Sequence, residues 1–452
     1  MTSVYEARVR SAADLLEESM PASPIDPTSI DQNADLSDHV MTMALHIAPL
    51  DPDRAAHLFF HCAQSLGFRG QYSQAVIAAV DGMSLREQGA STNEQEMAAG
   101  LGLLGNAHLM VGAFEQACAA HLRSIAILEA AGPPSVVSEL AGSYCNLGMV
   151  QQAMGLLNES LHSFGVALDV HVAAQTKDPE QLIVIYSNLG NSQARLGMFL
   201  DAERSQFKAL EMAEVAYGSN HAQTAVALTN MANIHRQLDR PEKARQELLR
   251  ALQIKEASFG EVHPEVAATL TNLGMVYQAL GQPEESTAVL SRALSIEEAA
   301  FGEQSRRYAS TLGTLGNTQQ LMGSLAEAEA TQRRTLNLKV AIFGSEHPEV
   351  ATTMGNLANL QCMLGRLHEA EATQQAVLRI EEGVFGPEHP EVATTLGNLG
   401  TIQYELGHLL DAAASQERSL RIKLAFFGPN HSAVTATKRN LAVVRDAIAA
   451  AG

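Results

Sequence analysis

Apolar residues recur along this chain at the three- and four-residue spacing of helices, broken at regular intervals by glycine and proline. From His347 onward they fall at Val350, Met354, Leu357, Leu360 and Leu364, and Gly365 follows. Pro348 suits a first helical turn, where its missing N–H costs nothing, and Glu349 places negative charge where the helix dipole favours it. Gly365 can adopt the left-handed conformation that ends a helix. A second apolar row then runs through Leu367, Ala370, Val377, Leu378 and Ile380 to Phe385-Gly386. The spacing predicts two helices joined by a tight turn.

This pair repeats. Aromatic-Gly dipeptides stand at Tyr217-Gly218, Phe259-Gly260, Phe301-Gly302, Phe343-Gly344, Phe385-Gly386 and Phe427-Gly428, each 42 residues after the last. Asn-Leu-Gly or a close variant starts at Asn146, Asn188, Asn230, Asn272, Thr314, Asn356, Asn398 and Asn440. A turn marker, mostly Leu-Gly, ends at Gly155, Gly197, Asp239, Gly281, Gly323, Gly365 and Gly407. Small residues at Gly190, Ala232, Gly274, Gly316, Ala358 and Gly400 are expected to let the helices of a unit approach closely, with Ala244, Ala328, Ala370 and Ala412 buried between them. Residues 179–430 thus read as six regular units, and 431–452 as a capping helix. Gly112 and Gly70 continue the phase backwards, so residues 37–178 read as degenerate helical repeats. Residues 1–36 read as a short acidic helix outside the array, over 3–19, and a flexible linker carrying Pro21, Pro24 and Pro27.

Segments 343–353 and 398–407, Phe-Gly-Ser-Glu-His-Pro-Glu-Val-Ala-Thr-Thr and Asn-Leu-Gly-Thr-Ile-Gln-Tyr-Glu-Leu-Gly, resemble the tetratricopeptide repeat in its kinesin-light-chain-like, 42-residue form. The resemblance covers residues 179–450 clearly and 54–178 in degenerate form. It implies an all-α fold: a right-handed α-solenoid of antiparallel helix pairs, with the first helix of each unit lining a concave groove. The usual repeat has about 34 residues, and eight more split over two helices add ~6 Å to each, which deepens the groove. The implied function is a non-catalytic scaffold or adaptor that binds an extended peptide or a partner helix, with a kinesin-light-chain-like cargo adaptor as a special case.

Composition narrows the picture. Hydrophobic residues reach 46% while aromatics are 5% and Trp is absent, so Ala, Leu and Val build the core. Thirty basic against fifty acidic residues give a net charge of −20. A general nucleic-acid binder needs a basic face, so no nucleic-acid partner is expected. Cys62, Cys118, Cys145 and Cys362 lie far apart with no CxxC spacing, which argues against a disulfide framework and fits a reducing compartment. The first residues carry no apolar core and no run of 18 apolar residues exists, so a cytoplasmic protein without membrane insertion is expected.

Candidate chemistry is sparse. No GxxxxGK[ST] loop and no GxSxG elbow is present, so neither an enzyme nor a cofactor is expected. His57 and His61, four apart beside Cys62, have zinc-ligand spacing but no evident third ligand, and this is the remaining metal alternative. His221, His263, His347, His389 and His431 share one loop phase and read as helix-start residues. The family resemblance places Asn188, Asn191, Asn230, Asn233, Asn272, Asn317, Asn356, Asn359 and Asn398 on the groove, with small neighbours such as Ser187, Thr229, Gly355 and Gly397. An Asn amide both donates and accepts, so it can pair with a peptide backbone whatever the peptide's sequence. Arg195, Arg236 and Arg439 are the cations expected to face inward. The positions that carry Lys in chaperone-binding repeats hold Val184, Ser187, Val226, Thr229, Ala268 and Thr271, so a chaperone-tail adaptor is not expected.

Two irregularities remain. The His-Pro-Glu-Val start becomes Ser305-Arg306-Arg307-Tyr308 in one unit, read either as drift at a solvated rim or as a contact for an acidic partner. Glutamines thirteen apart recur as Gln193/Gln206, Gln319/Gln332, Gln361/Gln374 and Gln403/Gln416. Amide–amide bonds such as Gln332 with Gln361 and Gln374 with Gln403 are one expectation, and ordinary exposure the other.

Overall fold

A computed structural model describes residues 2–19, 32–68, 71–88, 94–132, 136–174, 178–429 and 431–451. Among these residues every regular element is a helix. None is long and apolar enough to cross a membrane. The chain divides into two compact units, one of Met1–Arg195 with Arg204–Met212, the other of Leu196–Glu203 with Ala213–Gly452.

The first unit opens with α1 (Thr2–Ser19) and α2 (Gln32–Ile47). The pairs α3 (Pro52–Phe68) with α4 (Tyr72–Gln88), α5 (Glu94–Met110) with α6 (Phe114–Ala131) and α7 (Val137–Ala153) with α8 (Leu157–Ala174) follow, then α9 (Pro179–Arg195). Helix α10 (Phe199–Tyr217) comes next and carries the Arg204–Met212 segment of this unit. The expectation that the N-terminal helix stands outside the array is corrected here. Val9 and Ala13 of α1 join Val40, Ala44, Leu58 and Phe59 in one apolar core, and Arg54 of α3 holds α1 through Asp14 (2.6 Å) and Glu17 (2.7 Å). Helix α2 begins inside the span read as linker, because its second half buries Val40, Ala44 and Ile47. Residues 20–31, with the three prolines, lie outside the described residues.

The second unit is strictly periodic. First helices of 16 residues, α11 (Ala222–Gln237), α13 (Pro264–Ala279), α15 (Arg306–Leu321), α17 (Pro348–Met363) and α19 (Pro390–Glu405), alternate with second helices of 19. The latter are α12 (Pro241–Phe259), α14 (Pro283–Phe301), α16 (Leu325–Phe343), α18 (Leu367–Phe385) and α20 (Leu409–Phe427), and α21 (Ser432–Ala451) follows. Each second helix packs on its own first helix and on the next one, while successive first helices also touch, as α11 on α13 and α13 on α15. The fold is an all-α solenoid of antiparallel helix pairs. Ala244, Ala328, Ala370 and Ala412 have no exposed surface. The small residues of the first helices face the second helix directly. A Cβ on Gly274 would stand 2.7 Å from Leu290, and one on Gly316 2.8 Å from the Gln332 amide.

The aromatic-Gly and His-Pro markers form one device. Gly260 and its equivalents end the second helix near φ 88° and ψ 158°, a region open essentially to glycine alone. The histidine three residues later then caps the next helix: His263 Nδ1 accepts from the Glu265 N–H at 3.2 Å, and His347 and His389 do the same. Each ring also stacks on the aromatic four residues earlier, as His263 on Phe259 with centroids 4.8 Å apart. Replacing His263 by Ala is expected to cost about 1 kcal/mol through loss of the cap. His263→Ser should recover part of that, because Ser305 already caps α15 through Oγ at 3.3 Å. Urea unfolding of both variants checks the order.

Candidate functional site

Within the second unit, contact of α11 with α13, α13 with α15 and α15 with α17 puts the first helices in one inner layer, and the asparagine row lies on the first helices. Asn230, Asn272 and Asn356 are half-buried in one 42-residue phase that Thr314 interrupts, and Asn398 continues the row exposed. The side chains of Asn230, Asn233, Asn272, Asn356, Asn359 and Asn398 make no hydrogen bond among the described residues. Asn317 differs, since its Oδ1 accepts from Gln332 Nε2 at 2.8 Å. Thr271 of the same face bonds Thr311 of the next first helix at 3.0 Å. Arg236 is half-buried with its Nε enclosed and unpartnered, and burial without an acid partner pulls its guanidinium below the usual range. Arg439 is exposed on α21. In the first unit, Asn188 hydrogen-bonds the buried Cys145 thiol, Asn191 accepts from Gln206 at 3.1 Å, and Arg195 donates to the Gln152 carbonyl at 2.7 Å. These three are committed to internal bonds.

The glutamine pairs do not join amide to amide. In three of the four pairs the first accepts from a hydroxyl twelve residues on, Gln193 from Ser205, Gln361 from Thr373 and Gln403 from Ser415, whereas the Gln319 Oε1 is enclosed without a partner. The second is buried and donates to a carbonyl of its own first helix, as Gln206 to Ser187, Gln332 to Gly313 and Gln416 to Gly397, each within 2.9 Å. Glycine at 190, 316 and 400 makes the room, because a Cβ there would meet the amide nitrogen. Gln374, opposite Ala358, reaches the Thr395 carbonyl of the following helix instead.

A second pattern escaped the sequence reading. The second helices carry one buried charge at a fixed position, alternating Lys255, Glu297, Lys339, Glu381 and Lys423. Ten residues after each, at the second residue of the next first helix, stand Glu265, Arg307, Glu349, Glu391 and Ala433. Lys255 bonds the Glu265 carboxylate at 3.2 Å and Lys339 that of Glu349 at 2.8 Å. The charge of Arg307 favours the ionised form of Glu297, although its ion pair is with Glu265 at 3.5 Å and the Glu297 Oε2 is enclosed with no hydrogen-bond partner. Arg307 also lies over the Phe301 ring that no histidine covers in this unit, 5.4 Å from its centroid. The Ser-Arg-Arg-Tyr start therefore accompanies a charge reversal at the buried position and compensates it in part. The signal was a single column of the repeat, which motif searching does not read.

The ladder titrates in two directions. Burial raises the Glu349 carboxyl, but the bond and charge of Lys339 outweigh it and hold the group below the usual range. Its stabilisation is present above the unfolded value and lost as pH falls through the folded one. Glu381 is the reverse. Burial pushes it up, the Thr395 hydroxyl offsets this in part, and the Glu391 charge adds to it. Held ionised, such a group costs stability at neutral pH, and the cost is relieved as pH falls through its raised value. Glu381→Gln is expected to raise the melting temperature at pH 7, with the gain shrinking on acidification, as calorimetry at stepped pH would show.

His57 is exposed and His61 half-buried on α3, and among the described residues no third His, Cys, Asp or Glu joins them in a metal-holding group. Burial pushes the neighbouring Cys62 thiol up to about 12, against a thiolate role.

Comparison with known proteins agrees with this architecture. The tetratricopeptide repeat sequence profile matches residues 181–257, 265–339, 308–380 and 349–425, together just over half of the chain. No curated protein matches it. Among solved structures, the apo quorum sensor NprR from B. thuringiensis is 13% identical with a TM-score of 0.57, covering 84% of this chain and 98% of its own. A Rap protein complexed with Competence and Sporulation Factor is 13% identical with a TM-score of 0.54, over 83% of this chain and 99% of its own. BtubC (BKLC) from P. vanneervenii is 25% identical over 51% of this chain and 93% of its own, with a TM-score of 0.44. The first two likenesses are of fold. Repeats of this type generally form non-catalytic scaffolds for protein interaction. With its profile matches, exact 42-residue helix pairs and solenoid packing, the chain belongs to the tetratricopeptide repeat family.

Proposed function

We propose that this protein is a non-catalytic cytoplasmic scaffold that holds an extended peptide of its partner along the first helices of the second unit. One observation carries the reading: the amides of Asn230, Asn272, Asn356 and Asn398 recur in one 42-residue phase, interrupted at Thr314, with no hydrogen bond spent among the described residues. Each such amide presents a donor and an acceptor at the spacing of the repeat, which suits a peptide main chain. Gly355 leaves open space beside Asn356, since a Cβ there would meet nothing within 4 Å. Arg236, a guanidinium without an acid partner, adds a place for a carboxylate of the same ligand.

The test is a displayed library of random peptides selected on the full chain. Replacing Asn356, Asn359 and Asn398 together by Ala is expected to weaken the leading peptide at least tenfold, since ~1.4 kcal/mol is a factor of ten. Melting temperature should change little, because these amides hold no part of the fold. A triple variant that melts much earlier yet still binds would assign the row to structure instead. Capture of a kinesin heavy chain by the purified protein would narrow the reading to a cargo adaptor.

A further inference from the structure

The charge ladder sets opposite signs over three steps, closed as ion pairs at Lys255 and Lys339, and like signs at the fourth. Lys255 with Glu265, Glu297 with Arg307, and Lys339 with Glu349 each set opposite signs ten residues apart. At the next step Glu381 meets Glu391, two acids that no cation among the described residues pairs with. Glu381 is 8% exposed, and its Oε2 is enclosed with no hydrogen-bond partner. At the step after that, Lys423 meets Ala433 and turns to the Thr437 hydroxyl at 3.0 Å.

Two arginines of α20 are committed elsewhere. Arg418 pairs with Glu382 at 2.6 Å and Arg421 with Glu388 at 2.6 Å. Arg379 sits two residues from Glu381 on α18, and residues so spaced do not share a helix face. Glu391 itself is exposed. It also lies seven residues from Asn398 on α19, two turns along the same face, or ~10 Å along the axis. An extended peptide spans that distance in about three residues.

We propose that Glu381 and Glu391 receive a basic side chain, Arg or Lys, of the peptide held along the asparagine row. In the unit of Glu297 this chain places a cation, Arg307, in electrostatic reach of the buried acid. At Glu381 the partner supplies it. A buried carboxylate left without a counter-charge is costly, so the ligand's cation gains here what an exposed acid would not offer. The inference rests on the peptide reading of this face and adds the chemistry of the residue it selects.

The experiment selects a displayed random-peptide library on the full wild-type chain and on Glu391→Arg, which places Arg where Arg307 already stands in its own unit. Glu391→Gln serves as the milder second variant. Wild type is expected to enrich peptides sharing an Arg or Lys. The resynthesised leader should lose at least tenfold in Kd when that residue is replaced by citrulline or norleucine, and at least tenfold on Glu391→Arg. The two losses should overlap rather than multiply. Enriched peptides without a shared basic residue, or a basic preference unchanged in both variants, would overturn the inference and leave the peptide face intact. No enrichment on wild type would overturn both readings. Calcium binding by the ligand-free protein, measured by calorimetry, would assign the two acids to a divalent cation and overturn the inference alone.

Discussion

Lys339→Glu is expected to destabilise the protein by about 3 kcal/mol, the low end for breaking a buried ion pair and leaving an uncompensated charge. The Lys339 ammonium is 6% exposed and donates both to the Glu349 carboxylate at 2.8 Å and to its backbone carbonyl at 3.4 Å. Reversal would face two carboxylates at one step, with Glu297 and Glu381 at the same position on either side. The new carboxyl can take up a proton, as burial and Glu391 favour at Glu381, which limits the loss. The deficit should therefore shrink as pH falls. Adding Glu349→Arg should restore more than half of it, because Glu297 with Arg307 already holds that charge order in the fold. Urea unfolding of the four proteins of the cycle measures the coupling. A loss that Glu349→Arg does not repair would mean that the alternation along the second helices is incidental to stability.

The same alternation shows what was legible in the sequence. Helix pairs, their period and their turns follow from positions where only one chemistry fits. Gly260 must be glycine because of its backbone conformation, and Gly316 because Gln332 stands against it. Such positions repeat visibly. The N-terminal helix was misplaced because its tie to the array depends on Arg54, 37 residues beyond Glu17, and no local pattern announces such a partner. The glutamine spacing leaves amide–amide bonds and ordinary exposure both open, whereas the fold gives these amides a serine or threonine hydroxyl and a backbone carbonyl. Side-chain identity told that these amides needed partners, and only geometry told which. The asparagine row was located through family resemblance. The sequence alone did not show that Asn317 is spent on Gln332 while Asn356 is not.

Removing residues 431–452 should give the largest effect on the second unit, confined to its last helix pair. Helix α21 packs on α20 and α19 and buries Val434, Leu441 and Val444, at 0%, 5% and 3% exposure. Full burial of such side chains contributes about 1.5–3 kcal/mol each, so the three supply on the order of 5–8 kcal/mol before ordering entropy is charged against them. The deletion also takes away Thr437, leaving the buried Lys423 amine with neither an acid nor a hydroxyl. Since stability in a stacked array is a sum over neighbours, hydrogen exchange should accelerate in α19 and α20 and stay near wild type in α11–α14. Peptides whose affinity depends on Glu391 should weaken with it, because α19 carries that residue and Asn398 together. Equal loss of protection from α11 to α20 would show instead that the ten helices unfold as one cooperative block. The ladder would then be a long-range strut along the array, and its break at Glu381 and Glu391 would weaken every pair equally.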